Sequence, residues 1–539
     1  MKASISLSLV MVSTFFLSVS CSIQDSNLEL FLKCLLHDHI EPSNPISELI
    51  YTRNNSSFQS VLNAYIKNRR FLTASTPKPL AIVTPNHESH VQATIKCSNQ
   101  AGLELRIRSG GHDYEGLSYT STVPFVVLDM FNLRKIDINI ADETAWVQAG
   151  ATIGELYYQI SNVSKLHAFP AGVCPTMGAG GHITGGGYGN LMRKYGLSSD
   201  NVVDAQLVDV EGRILNRESM GEDLFWAIRG GGGESFGVIL AWKIKLVSVP
   251  ENVTVFNVGK TTDQATSQGA TDVIYKWQQV APKLPEELFI RAMPKVVNGS
   301  RPLEKTVMVS FIGMFLGQIS SLIPLMNQQF PELGLRAEDC HEMSWVESTL
   351  FWDQYRIGTS IKVLLNRSTD VKFSSKNKSD YVKNVIPKKA LEEIWTKMIN
   401  FGNMWMQWNP YGGRMSEISE SETAFPHRAG NLFKIQYCAL WEEEGINSTN
   451  LYTSKIRDFY ASMAPYVSNS PREAFLNYRD LDIGNSYPSH KTSLLRDADV
   501  YGAKYFKGNY KRLVEVKTKV DPFNFFKNEQ SIPPGLVNF

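Results

Sequence analysis

The chain has 539 residues, too many for one ordinary core, and its 43% hydrophobic and 20% charged residues are those of a folded rather than a disordered protein. Its 54 basic and 53 acidic residues leave a net charge of +1, so there is no electrostatic excess to grip a phosphate backbone, which argues against a nucleic-acid partner. The 38 glycines are often bunched, and bunched glycine in a folded chain marks backbone brought close to a ligand.

The chain opens on Met1-Lys2, a mostly apolar run from Ile5 to Val19 and the small-residue exit Ser20-Cys21-Ser22. This is the pattern of a secretory signal peptide over residues 1–22, and the run is too short for a membrane span. The mature protein is therefore expected in the secretory pathway, extracellular (apoplast) or vacuolar, as a monomer with no membrane anchor. Export changes how cysteine is read. Cys34 lies in the helix-like stretch Leu28–Leu36 and could bridge to Cys97; Cys340 and Cys438 read as buried free thiols, and Cys174, in a Gly/Pro segment, is the odd thiol. Asn-x-Ser/Thr sites at Asn54, Asn55, Asn162, Asn252, Asn298, Asn366, Asn377 and Asn447 point to a glycoprotein.

Residues 24–72 look helical and polar. A proline-bounded strand follows over Pro79–Pro85, then a helix over His90–Ala101 and strands at Leu105–Arg108, Phe125–Asp129 and Thr144–Ala149, with a helix over Ile153–Ser161. This mixture reads as an α+β domain over residues 23–250. Beyond Pro250, alternating strands at Val253–Val258, Thr306–Met314 and Leu432–Leu440, with helices such as Lys388–Phe401, predict an antiparallel sheet with helices on one face over residues 251–475. Its tryptophans, Trp345, Trp352, Trp395, Trp405 and Trp408, are expected mainly in the core. In the closing segment, 476–539, Tyr501–Val520 reads as one amphipathic helix ended by Asp521-Pro522.

Three glycine clusters carry the chemistry: Arg108-Ser109-Gly110-Gly111-His112-Asp113-Tyr114-Glu115-Gly116, directly after a strand; Gly172–Gly189, including Gly178, Gly181, Gly186, Gly187 and Gly189; and Arg229–Gly237. None contains G-x-G-x-x-G or G-x-x-x-x-G-K-[ST], so neither the Rossmann nor the P-loop phosphate grip is present. Successive turn N–H groups can still cradle a pyrophosphate, and three clusters in one domain suit a dinucleotide. His112 and Cys174 each sit inside a cluster. Their surroundings lack the spacing of a zinc site, and Pro175 denies a Cys-His nucleophilic pair its nearest oxyanion donor.

With Phe475–Gly484 and the closing Val520–Phe526 and Glu529–Pro534, these segments resemble the plant berberine bridge enzyme-like proteins, within the vanillyl-alcohol-oxidase class of flavoproteins. The resemblance runs from about Ser26 to the C-terminus. It implies a two-part FAD-binding domain, 476–539 returning to it after a substrate domain, and FAD attached twice, through His112 to the 8α carbon and through Cys174 to C6. It also implies a Cys34–Cys97 disulfide. Tyr478 matches the base of relatives similar to cannabinoid-acid synthases, and Tyr114, Tyr188 and Gln436 match positions that shape the site in monolignol-oxidising relatives. A glutamate near the position of Gln436 serves as base in alkaloid-cyclising members; glutamine takes up no proton usefully, which counts against ring closure of an alkaloid. The residue three after the flavin cysteine, here Met177, influences oxygen access, so oxygen and other electron acceptors both stay open. The expected function is hydride transfer from a small phenolic or other plant metabolite to flavin N5. The alternatives are a non-redox cyclase with structural FAD, in which Arg291 and the Trp-rich segment orient the substrate, a carbohydrate oxidase, and a non-catalytic carbohydrate-binding glycoprotein.

Overall fold

The computed structural model describes residues 25–38, 43–262, 269–301, 303–368, 373–486 and 494–535, so the expected signal peptide and Cys21 lie outside the described residues. Strands β1 (Ile50–Thr52), β2 (Ala81–Val83), β3 (Glu104–Arg108) and β4 (Phe125–Asp129) form a sheet in the order β1-β2-β4-β3. β2, β4 and β3 run parallel, and the helix Glu88–Gln100 connects β2 to β3. Every residue of β4 is buried, as a parallel sheet covered on both faces requires. A second, antiparallel sheet combines β5 (Ile136–Asn139), β6 (Thr144–Gln148), β8 (Val202–Val208), β9 (Ile214–Leu215) and β10 (Val238–Lys245) in the order β5-β6-β10-β8-β9. The short β7 (His167–Ala168) pairs with β11 (Val247–Ser248) beside it.

The third sheet has seven antiparallel strands: β12 (Val253–Thr261), β13 (Leu288–Asn298), β14 (Lys305–Phe315), β15 (Cys340–Met343), β16 (Ser374–Val382), β17 (Met404–Pro410) and β18 (Phe433–Trp441), in the order β15-β12-β14-β13-β17-β18-β16. The period-2 alternation of a strand decides what each face carries. Met404, Met406 and Trp408 of β17 and Ile435, Tyr437 and Ala439 of β18 enter a core with Trp277 and Trp395 from the helices Ala270–Val280 and Lys388–Phe401. The opposite face therefore receives Trp405, Gln407 and Asn409 from β17 and Lys434, Gln436 and Cys438 from β18. This polar face turns toward the glycine-rich loops.

The structure departs from expectation in two elements. The N-terminal region is helical only in part: after residues 25–38 come β1 and the short helix Phe58–Asn63. The C-terminal amphipathic stretch is two helices, Leu494–Phe506 and Tyr510–Val520, broken where Lys507 takes φ 48°. Cys34 and Cys97 form a disulfide with Cα atoms 5.6 Å apart, stapling the N-terminal helix to Glu88–Gln100, and Cys340 and Cys438 are buried free thiols. Trp345, Trp352, Trp395 and Trp408 are buried, while Trp405 is only partly so. Seven of the eight glycosylation sequons are exposed. Asn377 is not: it lies on β16 at 3% exposure, and its Oδ1 accepts from Gln436 Nε2 at 3.1 Å, so the folded chain has no room for a glycan there.

Candidate active site

The loop after β3, the segment Gly172–Gly189, the turn ahead of β10 and Leu476–Arg479 enclose a cleft. Ser109, Gly110, Gly111, His112, Gly178 and Gly181 all line it. Gly110 and Gly178 bring two loops together backbone to backbone: a Cβ on Gly110 would lie 2.2 Å from Gly178 N. Gly181 has the opposite surroundings, since a Cβ there would meet no atom within 4 Å, and its bare backbone opens onto the cleft. Arg479 supplies charge. Its Nε donates to Asp113 at 2.9 Å and its Nη2 to Glu234 at 2.6 Å, while Nη1 is buried without a protein partner on the cleft wall. A bare glycine cradle, an orphaned guanidinium donor and a nearby imidazole and thiol together suit FAD.

Four expected cofactor contacts have other jobs. Arg108 is fully buried and holds the loop from behind, donating to Asp129 at 2.7 Å and to the carbonyls of Val61 and Leu62. Gly186, Gly187 and Gly189 do not line the cleft; their missing side chains let the chain pass Phe425, Ser198 and the Ala171 carbonyl, the last only 1.7 Å from where a Gly189 Cβ would sit. They shape the turn that presents Tyr188.

His112 and Cys174 come from different loops and meet at Thr176. The hydroxyl of Thr176 lies 2.9 Å from His112 Nε2 and 3.6 Å from Cys174 Sγ. Burial, reinforced by the charge of Lys67, lowers the His112 pKa to about 3, so the imidazole is neutral at physiological pH. Burial and then Asp353 push the Cys174 thiol up, while hydrogen bonds from Thr176 pull it down.

The expected catalytic side chains converge between this cleft and the seven-stranded sheet. The hydroxyls of Tyr188 and Tyr478 hydrogen-bond to each other, although 290 residues separate them. Gln407 Nε2 donates to Tyr188 at 2.7 Å and to Tyr478 at 3.4 Å, and Asn409 Nδ2 donates to Tyr188 at 3.2 Å. Arg291 holds Asn409 through a 2.7 Å hydrogen bond and stacks over Trp352. The Lys434 ammonium lies 3.4 Å from the ring centroid of Tyr188, 3.5 Å from that of Phe475 and 5.0 Å from that of Tyr478. On the other side Tyr114 stacks on Tyr478 and accepts from Gln436 Nε2 at 2.8 Å. Burial drives both phenols of the central pair upward, with Arg291 acting against it, and drives Lys434 well down, again with Arg291 contributing.

Sequence reasoning missed Gln407, Asn409, Lys434, Thr176 and Arg479 as site residues. The first three had a signal: polar residues at alternate positions of strands whose other residues are apolar, which marks a buried face with work other than packing.

A flavin cleft lined by glycine loops, closed by a sheet that carries paired tyrosines, defines an FAD-linked oxidoreductase. An FAD binding domain family matches residues 79–217 and the family described as "Berberine and berberine like" matches residues 474–533. Berberine bridge enzyme-like 17 of Arabidopsis thaliana is 59% identical over 510 residues, 94% of this chain and 95% of that protein. Among solved structures, Phl p 4, a grass pollen allergen with glucose dehydrogenase activity, superposes with a TM-score of 0.87 at 44% identity, and berberine bridge enzyme from Eschscholzia californica with 0.87 at 39%, each over 94% of this chain and all of the other. The chain belongs to the berberine bridge enzyme-like family. Its disulfide indicates an oxidising compartment, and among the described residues no helix is long and apolar enough to cross a membrane.

Proposed function

We propose that the protein oxidises a small phenolic alcohol or related plant metabolite, using FAD tethered through His112 and Cys174, and that it works as a secreted glycoprotein. The observation that carries this reading is the Tyr188–Tyr478 hydroxyl pair, set beside the buried guanidinium of Arg291, which holds Asn409, and the buried amine of Lys434. Bound FAD supplies the hydride acceptor, which oxygen or another acceptor reoxidises. The chain's own residues manage the proton. Tyr478 takes the proton of the substrate hydroxyl as it is oxidised; the Tyr188 oxygen already accepts from Gln407 and Asn409, which leaves its hydroxyl hydrogen for the Tyr478 oxygen, against the upward push that burial and the neighbouring phenols give Tyr478. Gln407, as a donor to both oxygens, and Asn409, as a donor to one, help to stabilise the phenolate, and so does Arg291 through its charge. Gln436 has an amide where a proton-accepting carboxylate would be needed for alkaloid ring closure, so its part is to orient Tyr114. Met177, on the cleft wall, is the side chain through which access of oxygen would be tuned.

A sugar substrate is the second reading. It draws on the polar wall of Asn377, Gln407, Asn409 and Gln436, and on the glucose dehydrogenase activity of the pollen relative. Anaerobic mixing of the purified protein with phenolic alcohols, sugars and alkaloids tests both. A phenolic alcohol is expected to bleach the oxidised-flavin absorbance fastest, and a substrate that turns over with no bleaching would overturn the redox reading. Acid precipitation should leave the flavin on the protein; its complete release would sink the double attachment.

A further inference from the structure

The two tethering side chains share one neighbour. Thr176 is 4% exposed, so bulk water does not compete for its hydroxyl, which offers one hydrogen and two lone pairs. His112 Nε2 is 2.9 Å away and Cys174 Sγ 3.6 Å away, both within hydrogen-bonding range for their atom types. We propose that Thr176 is the positioning residue for both flavin attachments: its hydroxyl accepts from His112 Nε2–H and donates to Cys174 Sγ, fixing the imidazole tautomer with Nδ1 as the free nucleophilic nitrogen while favouring the thiolate at Cys174. This rests on the reading that FAD is doubly tethered.

Three observations fit this direction of the hydrogen bonds. Burial holds His112 neutral, so it has a single N–H, and that hydrogen on Nε2 leaves the lone pair on Nδ1. The main chain of Thr176 acts in the same senses as its hydroxyl, stabilising a protonated imidazole at His112 and the thiolate at Cys174. A thiolate, not a thiol, is the sulfur nucleophile, and at Cys174 burial and Asp353 oppose it, so a fixed donor matters there. Each attachment replaces one C–H bond of the flavin by a C–N or C–S bond. The carbon's hydrogen and the N–H or S–H hydrogen leave together with two electrons, taken up by dioxygen as hydrogen peroxide. Thr176 contributes no electrons and forms no covalent bond; it sets which atoms are nucleophilic and where they point.

The test compares wild type, Thr176→Val and Thr176→Ser as full-length secreted proteins, reading flavin retained after acid denaturation, intact mass, and the attachment sites by peptide mapping. Wild type and Thr176→Ser are expected to carry FAD on both residues. Thr176→Val, nearly the same shape without the hydroxyl, is expected to leave most folded chains with FAD on one residue or none, and to attach it at least tenfold more slowly when flavin is supplied to flavin-free protein. A folded, FAD-loaded Thr176→Val protein with both attachments at wild-type extent and rate would overturn the inference alone. Flavin released intact from wild type would overturn the doubly tethered reading beneath it. Should Thr176→Val fail to fold, Thr176→Ala is read in the same way on its folded fraction, and rescue by serine separates a hydroxyl effect from a packing effect.

Discussion

At Tyr478, burial makes the phenol a poor base and the surrounding charges make it a better one, so the identity of each neighbour matters. Arg291 lowers the phenol's pKa through its charge, and Lys434 is the neighbour whose Nζ faces the rings of Tyr188, Phe475 and Tyr478 at once. A cation over an aromatic ring is worth about 0.5–2 kcal/mol and favours the phenolate next to it. Replacing it by the nearly isosteric Lys434→Met should therefore raise the pH at which the tyrosine pair ionises, moving the rising limb of kcat/KM to higher pH by about one unit. An unmoved limb would mean that Lys434, pushed well down by its burial, is uncharged in the working enzyme. The sequence singles out His112, Cys174 and Tyr478 because each sits in a long local motif. It does not single out Lys434, Gln407 and Asn409, because they become neighbours of the tyrosines only through strand pairing across β17 and β18.

Among the elements, those with a clean period were readable before the structure. The helix Lys388–Phe401 lies within its predicted bounds because Leu391, Ile394, Trp395 and Met398 repeat at helical spacing and Pro387 and Gly402 bracket it. The C-terminal helices read as one because both are amphipathic, and the local signal of the break, Lys507-Gly508-Asn509, is short. Three glycines assigned to the cofactor turned out to serve chain crossings, since a glycine that avoids a neighbour's carbonyl and one that avoids a ligand look alike in sequence. The N-terminal helix is held by Phe31 and Leu35, by the partly buried Leu28, Leu32 and Leu36, and by the disulfide. Closing a loop of 63 residues by a disulfide is worth about 4 kcal/mol in the chain-entropy account. Cys34→Ser should accordingly lower unfolding free energy by about that amount in denaturant titration. Because Cys34 lies far from the glycine loops in sequence and packs with the first sheet's core, flavin absorbance at low denaturant should stay as in wild type.

Across the whole molecule, one apolar core runs through all three sheets, and buried charge lies where its parts meet. Lys376 and Lys378 rise from β16, Glu115 lies in the loop that carries His112, and Asp480 and Asp482 follow Tyr478. Lys376 pairs with Glu115, with Asp480 at 2.7 Å and with Asp482 at 3.5 Å; Lys378 pairs with Asp480 and Asp482, each at 2.7 Å. Lys376 and Lys378, with Glu115 and Asp480, are almost completely removed from solvent, and Arg70 and Arg457 close the rim through Glu115 and Asp482. One ion cluster thus joins the seven-stranded sheet, the loop that carries His112 and the segment of Tyr478. Such a cluster contributes little over a well-packed apolar core, but removing one member strands the others in a low dielectric at about 3–5 kcal/mol. Lys376→Met should therefore destabilise by roughly that amount, and calorimetry should resolve an early transition for the junction ahead of the main one. The loop bearing His112 loses one of the two cations that hold Glu115, so attachment of FAD at His112 should slow before attachment at Cys174 does. In Lys376→Met the Glu115 carboxylate keeps Arg70 as its remaining cation but has lost its more deeply buried partner, so adding Glu115→Gln should recover part of the lost stability. A double variant no more stable than the single would show that packing of the lysine stem, rather than charge, holds this junction.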